Sequence, residues 1–342
     1  MNIWNHLCLV ALCCLASSAA RAVAADGSSF SHKDWDLVCD NTLTCRAAGY
    51  SPEGTEQAVS VLLMRQAGPG TPLDNRMRLA EPEDGQSAGD APQLMVANQS
   101  LGALQPADDD AWQMNGRQLD AFMAALHSGS AIGFRDARGT YPLSGAGSSA
   151  VLLKMDDLQG RVGTRGALIR PGTRDESGVR KPNPATVVAK APVVDKESRA
   201  MTTAEIAQIK PKLISRIEAS GDCDNEWMGE HWYFARLDDR YGLAGASCWR
   251  GAYNSGDIWF VIDNESHEPV QLVTTGATSY QQGTLDLYQK GRGLGDCMRF
   301  ASWTWNGQRF VASSDGDTGR CMMIRPGGAW TLPTLVTRQI QR

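Results

Sequence analysis

Hydrophobic and polar positions alternate with several spacings along this chain, except in the first stretch, which is uniformly apolar. Residues 7–16 form an unbroken apolar run whose length matches the hydrophobic region of a secretory signal peptide. Small residues and Ala-x-Ala-type cleavage sites follow, ending at Ala22 or Ala25. We therefore predict a signal peptide over residues 1–25. No Lys or Arg precedes Leu7, and a buried N-terminal helix is the alternative interpretation.

Residues 26–172 combine strand and helix spacings. Alternating positions at 35–39 and 44–49, around a polar turn, predict a small hairpin, and residues 59–65, 94–97 and 131–134 are further strand candidates. Asn115 and Gln118 have the spacing of a capping box. The apolar positions that follow share one helical face: Leu119, Phe122, Met123 and Leu126. With a second helix predicted over residues 147–159, this part is expected to be an α+β domain.

After residue 200 the pattern changes to one helix followed by short apolar runs. Thr202 and Glu205 form another capping box, ahead of an apolar stripe that Pro211 interrupts. Strand-like runs separated by Gly, Asp and Asn then occur at residues 232–237, 258–262, 285–288, 310–312 and 329–332. These runs predict a mainly antiparallel β domain, so the fold class predicted for the whole chain is α+β.

Composition and charge exclude some classes of protein and suggest how the chain divides into domains. The chain has 342 residues, 42% of them hydrophobic, with a formal net charge of -5. A packed core can form, the acidic balance disfavours a nucleic-acid binder, and no apolar run reaches the roughly 18 residues of a transmembrane helix. Residues 173–200 contain three prolines and no aromatic residue. This segment is predicted to be an exposed linker between an N-terminal domain (26–172) and a C-terminal domain (201–342).

Cysteine positions predict disulfides. Three of the nine cysteines fall within the predicted signal peptide, and an even number remains, which is typical of an exported protein. Proximity along the chain predicts the pairs Cys39–Cys45, Cys223–Cys248 and Cys297–Cys321. A zinc site is weaker because no C-x-x-C pair occurs, so no metal or cofactor is predicted. Gly-Asp-Cys occurs at residues 221–223 and 295–297, which indicates an internal duplication or a coincidence.

Two groups of residues are candidates for ligand binding. Seven of the ten tryptophans follow residue 221, and Trp303 and Trp305 would share one face of a strand. Such a pair forms either a core layer or a platform for a sugar ring. Lys290 and Arg292 lie in a glycine-rich, basic turn ahead of Cys297, where an anion or peptidoglycan contact is a hypothesis.

Acidic residues and one histidine offer the remaining chemistry. Glu226, Glu230 and His231 are close in sequence, with Asp238 nearby, and could supply acid and base groups to a hydrolase. Alternating acidic residues at 222–226 and 315–319 resemble the start of a calcium loop, but the terminal Glu is missing, and solvated turns explain both.

Three segments carry a resemblance to a known family. The first holds Trp35, Cys39, Cys45 and Tyr50; the second covers residues 150–164; the third runs from Lys290 through Cys297, Trp303 and Trp305 to Cys321. In combination they resemble the exported bacterial family called domain of unknown function 1176, and the first segment is also similar to invasion-associated locus B proteins. The resemblance implies a Gram-negative periplasmic location and two cysteine-bearing halves, with no reaction or catalytic residues.

We therefore expect a periplasmic, non-enzymatic binding or interaction module whose partner is an envelope protein or a glycan. Two alternatives stay open at this point. One is an envelope-directed hydrolase that uses the region of Glu226, Glu230 and His231, and the other is an inhibitor of an envelope-attacking enzyme. A hydrolase predicts acid and base groups that converge in one pocket, whereas an inhibitor predicts a protruding loop.

Overall fold

Strands dominate the computed structural model, which describes residues 27–81, 90–224, 229 and 231–342. About 43% of the described residues are in strands and 14% in helices. The predicted α+β class is therefore wrong, and the chain is mostly β. The predicted signal peptide lies outside the described residues. None of the described helices is long and apolar enough to span a membrane.

Within its described residues, the first half contains eleven strands and two helices. In chain order these are β1 (Ser28–His32), β2 (Trp35–Cys39), β3 (Cys45–Tyr50), β4 (Val59–Arg65), β5 (Asp74–Leu79), β6 (Gln93–Val96), β7 (Gln99–Ala103), β8 (Gln105–Pro106), β9 (Trp112–Gln113), α1 (Gly116–Ser128), β10 (Ile132–Asp136), β11 (Gly139–Leu143) and α2 (Ser148–Gln159). They build an antiparallel sheet of order β1-β2-β3-β4-β5-β9-β8 and a second of order β11-β10-β6-β7.

In the described part of the second half there are twelve strands and one helix. They are β12 (Thr186–Lys190), β13 (Arg199–Ala200), α3 (Thr203–Ser220), β14 (Trp232–Arg236), β15 (Tyr241–Arg250), β16 (Ser255–Asp263), β17 (Pro269–Ala277), β18 (Ser279–Gln281), β19 (Thr284–Lys290), β20 (Met298–Trp305), β21 (Phe310–Asp317), β22 (Leu332–Leu335) and β23 (Thr337–Gln341). Strands β13–β17 and β18–β22 form two five-stranded antiparallel sheets in sequential order.

The helices begin where local capping chemistry places them. Reciprocal hydrogen bonds join Asn115 with Gln118 before α1, and Thr202 with Glu205 before α3. Helix α2 packs on the first sheet and α1 packs on the second, around one core that includes Trp35. Helix α3 packs on the β13–β17 sheet. The fold class was wrong because several strands, β15 and β17 among them, have little alternating pattern and acquire their structure from neighbouring strands.

The segment at residues 173–200 contacts both halves of the chain. Strand β12 within it pairs in parallel with the C-terminal strand β23, and Val179 and Val188 are buried. Each half of the chain has its own apolar core, as two domains would have. The division into two domains at this segment stays a prediction.

A fourth apolar cluster joins the two halves. It combines Val38 and Tyr50 of the first sheet with Trp330 and Leu332 near the C-terminus. Trp330 Nε1 donates to Ser60 Oγ at 2.7 Å across this contact. The C-terminal segment is therefore held against the first sheet, and the site described next lies at one end of this contact.

Candidate functional site

The basic loop, residues 290–297, connects β19 to β20 and contains the predicted residues Lys290 and Arg292. It is closed by hydrogen bonds from Gly291 N to Cys297 O and from Gly295 N to Arg292 O, both 2.9 Å long. A Cβ on Gly291 would lie 2.5 Å from Cys297 Sγ, so only glycine fits beside the disulfide. The loop is therefore a tight, braced turn.

Arg292 is used inside this loop. Its Nε and Nη2 donate to the two carboxylate oxygens of Asp296 at 2.8 and 2.6 Å. The hydrogen bond from Arg292 holds the pKa of Asp296 below its ordinary value. Asp296 Oδ2 also accepts the backbone N–H of Met323 at 2.7 Å. Asp296 therefore fastens the loop to the segment after Cys321, Arg292 is paired within the loop, and Lys290 is exposed.

A disulfide between Cys297 and Cys321 lies beneath the loop. The structure contains it together with Cys39–Cys45 and Cys223–Cys248, the three pairs that proximity along the chain predicts. Ligand atoms of Asp296, Cys297 and Cys321 lie within 4.8 Å of one another. Because the two sulfurs are bonded to each other, they offer no thiolate to a metal ion.

Exposed apolar side chains surround the basic loop. Leu294, Met323 and Tyr253 keep 69%, 65% and 47% of their surface exposed, and Tyr288 is exposed on β19. The ideal Cβ position of Gly293 is 3.7 Å from Tyr253 Cδ1. Asn254, next to Tyr253, exchanges two 2.9 Å hydrogen bonds with the backbone of Lys290. We call Tyr253, Tyr288, Lys290, Leu294 and Met323 the loop surface.

A polar cleft of about 540 Å³ adjoins the loop surface. Its lining includes two acidic residues, Asp34 and Glu53, and two arginines, Arg292 and Arg320. Arg320 is bound to Asp36, Arg292 is bound to Asp296, and Asp34 accepts a hydrogen bond from Ser144. Asp34, Arg292 and Arg320 can orient a polar ligand through their remaining donors and acceptors.

Trp303 and Trp305 face the interior between the two five-stranded sheets. Trp305 is fully buried, with ring centroids 5.7 Å from Tyr241 and 5.5 Å from Phe310. Trp303 is partly buried against the same core. The shared strand face of the two tryptophans is a core layer, so neither indole forms an open platform for a sugar ring.

The predicted acid–base group is only partly described. Glu226 and Glu230 lie outside the described residues. His231 directly precedes the five-residue strand β14 and Asp238 lies two residues past its end, so a strand roughly 17 Å long separates them. Asp238 Oδ1 accepts the backbone N–H groups of Arg240 and Tyr241 at 2.8 and 2.7 Å, as a turn residue does. The structure does not bring His231 and Asp238 together.

A carboxyl that sequence reasoning missed lies near His231. Asp257 is the cross-strand partner of Ser247, and Ser247 N donates to His231 O at 3.0 Å. Burial raises the pKa of Asp257 to about 6, and the charge of His231 opposes this rise. The sequence contained one indication of this carboxyl, which is an acidic residue near the start of the otherwise apolar strand β16.

The acidic positions 315–319 do not form a calcium loop. Asp315 and Asp317 belong to strand β21, where Asp315 pairs with Arg299 at 3.2 Å and Asp317 Oδ1 accepts the N–H of Gly319 at 2.8 Å. Burial raises the pKa of Asp317. In the other acidic run, Asp222 accepts a hydrogen bond from Thr275.

The segment after α2 supplies a second charged cluster. Arg161 is completely buried, and its Nη1 contacts Glu176 Oε1 at 2.7 Å while Nη2 donates to Thr71 Oγ1 at 2.6 Å. Gln159 Oε1 accepts a further hydrogen bond from Arg161 at 3.0 Å. Because these groups are enclosed and bonded to one another, the cluster is a structural brace that joins residue 176 to the first sheet.

The comparisons with known proteins agree with the cysteine-bearing motifs. A family model described as "Protein of unknown function (DUF1176)" matches residues 29–337. The chain belongs to this family. The resemblance carried by the three sequence segments is thereby confirmed, and it extends over both halves.

A curated relative resembles nearly the whole chain. "Uncharacterized protein YpfG" of Escherichia coli (strain K12) is 28% identical over 335 residues, covering 89% of this chain and 92% of the relative. No solved structure matches. Since neither the family description nor the relative's name states a reaction or a ligand, the function has to be argued from the geometry.

Proposed function

We propose that this protein is exported to the periplasm and acts as a non-enzymatic binding module of the cell envelope, with the loop surface as its binding site. Three disulfides support the location, because such bonds form in oxidising compartments. The apolar run at residues 7–16 supports export through a signal peptide.

The main support for this binding site is that Leu294, Met323 and Tyr253 are exposed on loops that are held in place. Three loops that are distant in sequence present these side chains together, and the Cys297–Cys321 disulfide and the Arg292–Asp296 pair hold the loops. Exposed apolar clusters of this kind mark interaction sites, and a pre-organised surface loses little entropy on binding. The lone exposed lysine at its edge adds an anion-binding contact.

Photo-crosslinking in cells tests the binding site. A photoreactive amino acid placed at residue 294 of the full chain, expressed with its own N-terminus, should give one or a few discrete adducts. Met323→Glu should reduce adduct yield about tenfold, because binding would then bury an unpaired charge. The matched control is Val194→Glu, since Val194 is 55% exposed and its backbone N–H donates to Leu237 O, which is not part of the loop surface. Equal loss of adducts in both variants would contradict the assignment.

Cell fractionation tests the location separately. The mature protein should be released with the periplasmic fraction and should begin near residue 23 or 26. Retention in the cytoplasm with the first residues intact would overturn the export proposal without bearing on the binding surface.

The hydrolase alternative has one supporting observation, the raised pKa of Asp257 near His231. Purified protein incubated with dye-labelled peptidoglycan should release no soluble dye under our proposal. Release that His231→Ala abolishes, while Asp238→Asn leaves it intact, would favour the hydrolase.

A further inference from the structure

Helix α3 leaves part of its own sheet uncovered. Its buried residues Ile209, Leu213 and Ile217 pack over the middle of the β13–β17 sheet. Val270 and Leu272 of β17 point to the same side of the sheet as α3, yet they keep 53% and 45% of their surface exposed. An apolar strip therefore runs beside the helix.

This strip forms a groove with polar contacts at both ends. Lys212 Nζ and Glu268 Oε1 are 2.5 Å apart at one end, and Thr275 Oγ1 donates to Asp222 at 3.2 Å at the other. Between them lies a cavity of about 270 Å³, which we call the helix–strand groove. Its walls include Arg216, Ala219 and Phe260, together with Val270 and Leu272.

The strand beside the groove is the last in its sheet. Strand β17 pairs with β16 only, and in the described part of the chain residues 270–274 make no backbone hydrogen bond outside that ladder. Gln271 points to the opposite side, where its side chain exchanges two 2.9 Å hydrogen bonds with the Phe310 backbone. These contacts hold β17 in place while its outer edge stays open, and such an edge accepts an added strand.

The charged side chains at the helix–strand groove indicate what kind of ligand it would bind. Arg216 projects from α3 into the groove and forms no ion pair within the described ranges, whereas Glu268 is already paired with Lys212. An incoming carboxylate would therefore find one available cation. A second copy of the chain fits less well, because edge-to-edge pairing of two β17 strands would bring two Arg216 side chains close together.

We propose that the helix–strand groove binds an extended peptide, which adds to β17 as a strand. Its apolar side chains, at alternating positions, contact Val270 and Leu272, and a carboxylate of the peptide pairs with Arg216. Main-chain hydrogen bonds would supply affinity and the groove would supply specificity, as in other cases of strand addition. This site is separate from the loop surface.

A titration with a defined peptide tests the proposal. The probe is a fluorescein-labelled peptide of alternating Val and Thr with Asp at each end, added to the full mature protein and followed by fluorescence anisotropy. Val270→Glu should weaken binding about tenfold because the new carboxylate would be buried by the peptide. Val194→Glu, at a similarly exposed valine elsewhere, should leave the affinity unchanged. Arg216→Gln should weaken binding a few-fold and reduce its salt dependence.

A second probe tests the backbone pairing directly. The same peptide with alternate amides N-methylated cannot form the ladder and should bind about tenfold more weakly. Hydrogen exchange at residues 270–274 should slow only with the unmodified peptide. Equal binding of both peptides, equal effects of the two valine variants, or no saturable binding of the probe up to about 1 mM would overturn the proposal. A wild-type dimer that Val270→Glu dissociates would also overturn it, in favour of a second copy.

Discussion

Arg320 and Asp36 form a bidentate ion pair between residues that are almost the full chain apart. The Nε–Oδ2 and Nη2–Oδ1 distances are 2.8 and 2.7 Å. Tyr50 lies beneath the guanidinium, with 5.5 Å from Arg320 Cζ to the ring centroid, and its hydroxyl accepts the Arg320 backbone N–H at 3.2 Å. This contact fixes one wall of the polar cleft and connects the Cys297–Cys321 disulfide to the first sheet.

Removing the charge of Asp36 should therefore loosen the contact between the halves. Asp36→Asn is expected to lower the free energy of unfolding by about 1–3 kcal/mol, because a partly buried charge-assisted pair is lost. Urea denaturation measures the change. The control is Asp239→Asn, whose partner Arg236 lies at the surface, and it should leave the midpoint unchanged. Equal shifts in both variants would show that the Arg320 pair has no special role.

The Arg161–Glu176 pair should be more costly to break. Glu176→Gln leaves the completely buried Arg161 without its counter-charge, with an expected loss of about 3–5 kcal/mol. Burial by itself would raise the pKa of Glu176, but the Gly70 N–H, Arg161 and Arg65 outweigh it and lower the pKa. The carboxyl therefore stabilises the fold above its unfolded pKa, and this contribution is lost as the pH falls through the lower folded value. Denaturation curves should show the wild-type advantage at pH 7 shrinking in acid; a constant advantage would refute the ionic explanation.

Asp257 should show the opposite pH dependence. Burial raises its pKa to about 6, so its ionisation opposes folding once the pH rises from the unfolded value toward 6 and beyond. Asp257→Asn should stabilise the protein by about 3 kcal/mol at pH 8 and should have little effect at pH 4. Thermal unfolding at the two pH values measures this difference. Stabilisation of equal size at both values would point to packing rather than ionisation.

The disulfides should appear as three separate pairs in the mature protein. Non-reducing peptide mass mapping is expected to find Cys39 joined to Cys45, Cys223 to Cys248, and Cys297 to Cys321. The double substitution Cys297→Ser with Cys321→Ser should cost about 3 kcal/mol of stability, since a loop of 24 residues is no longer closed. It should also abolish crosslinking by the photoreactive amino acid at residue 294. A stable variant with unchanged crosslinking would show that the loop surface does not need this brace.

Features with short-range causes could be predicted from the sequence. Asn115 and Gln118, or Thr202 and Glu205, form their capping hydrogen bonds within one turn, so spacing alone predicted where α1 and α3 begin. The same holds for the paired cysteines, because closing a short loop costs little entropy. The family resemblance also rested on local motifs.

The binding surfaces could not be predicted in this way. Leu294, Met323 and Tyr253 come from three loops, and nothing in their local sequence shows that these apolar side chains stay exposed in the folded protein. Lys290 and Arg292 were found through their glycine-rich context, but the internal pairing of Arg292 with Asp296 depends on the folded loop. Asp257 could not be identified as a candidate residue from the sequence, because its raised pKa depends on the residues that bury it in the folded protein.

The sequence by itself thus determined the helix starts, the cysteine pairing and the family, because each depends on residues within a few turns or loops of one another. Tertiary structure alone decided the mostly β class, the burial of Trp305, the Asp36–Arg320 contact and the open edge of β17. Strand pairing and burial depend on neighbours that are distant along the chain, and a local pattern does not contain them.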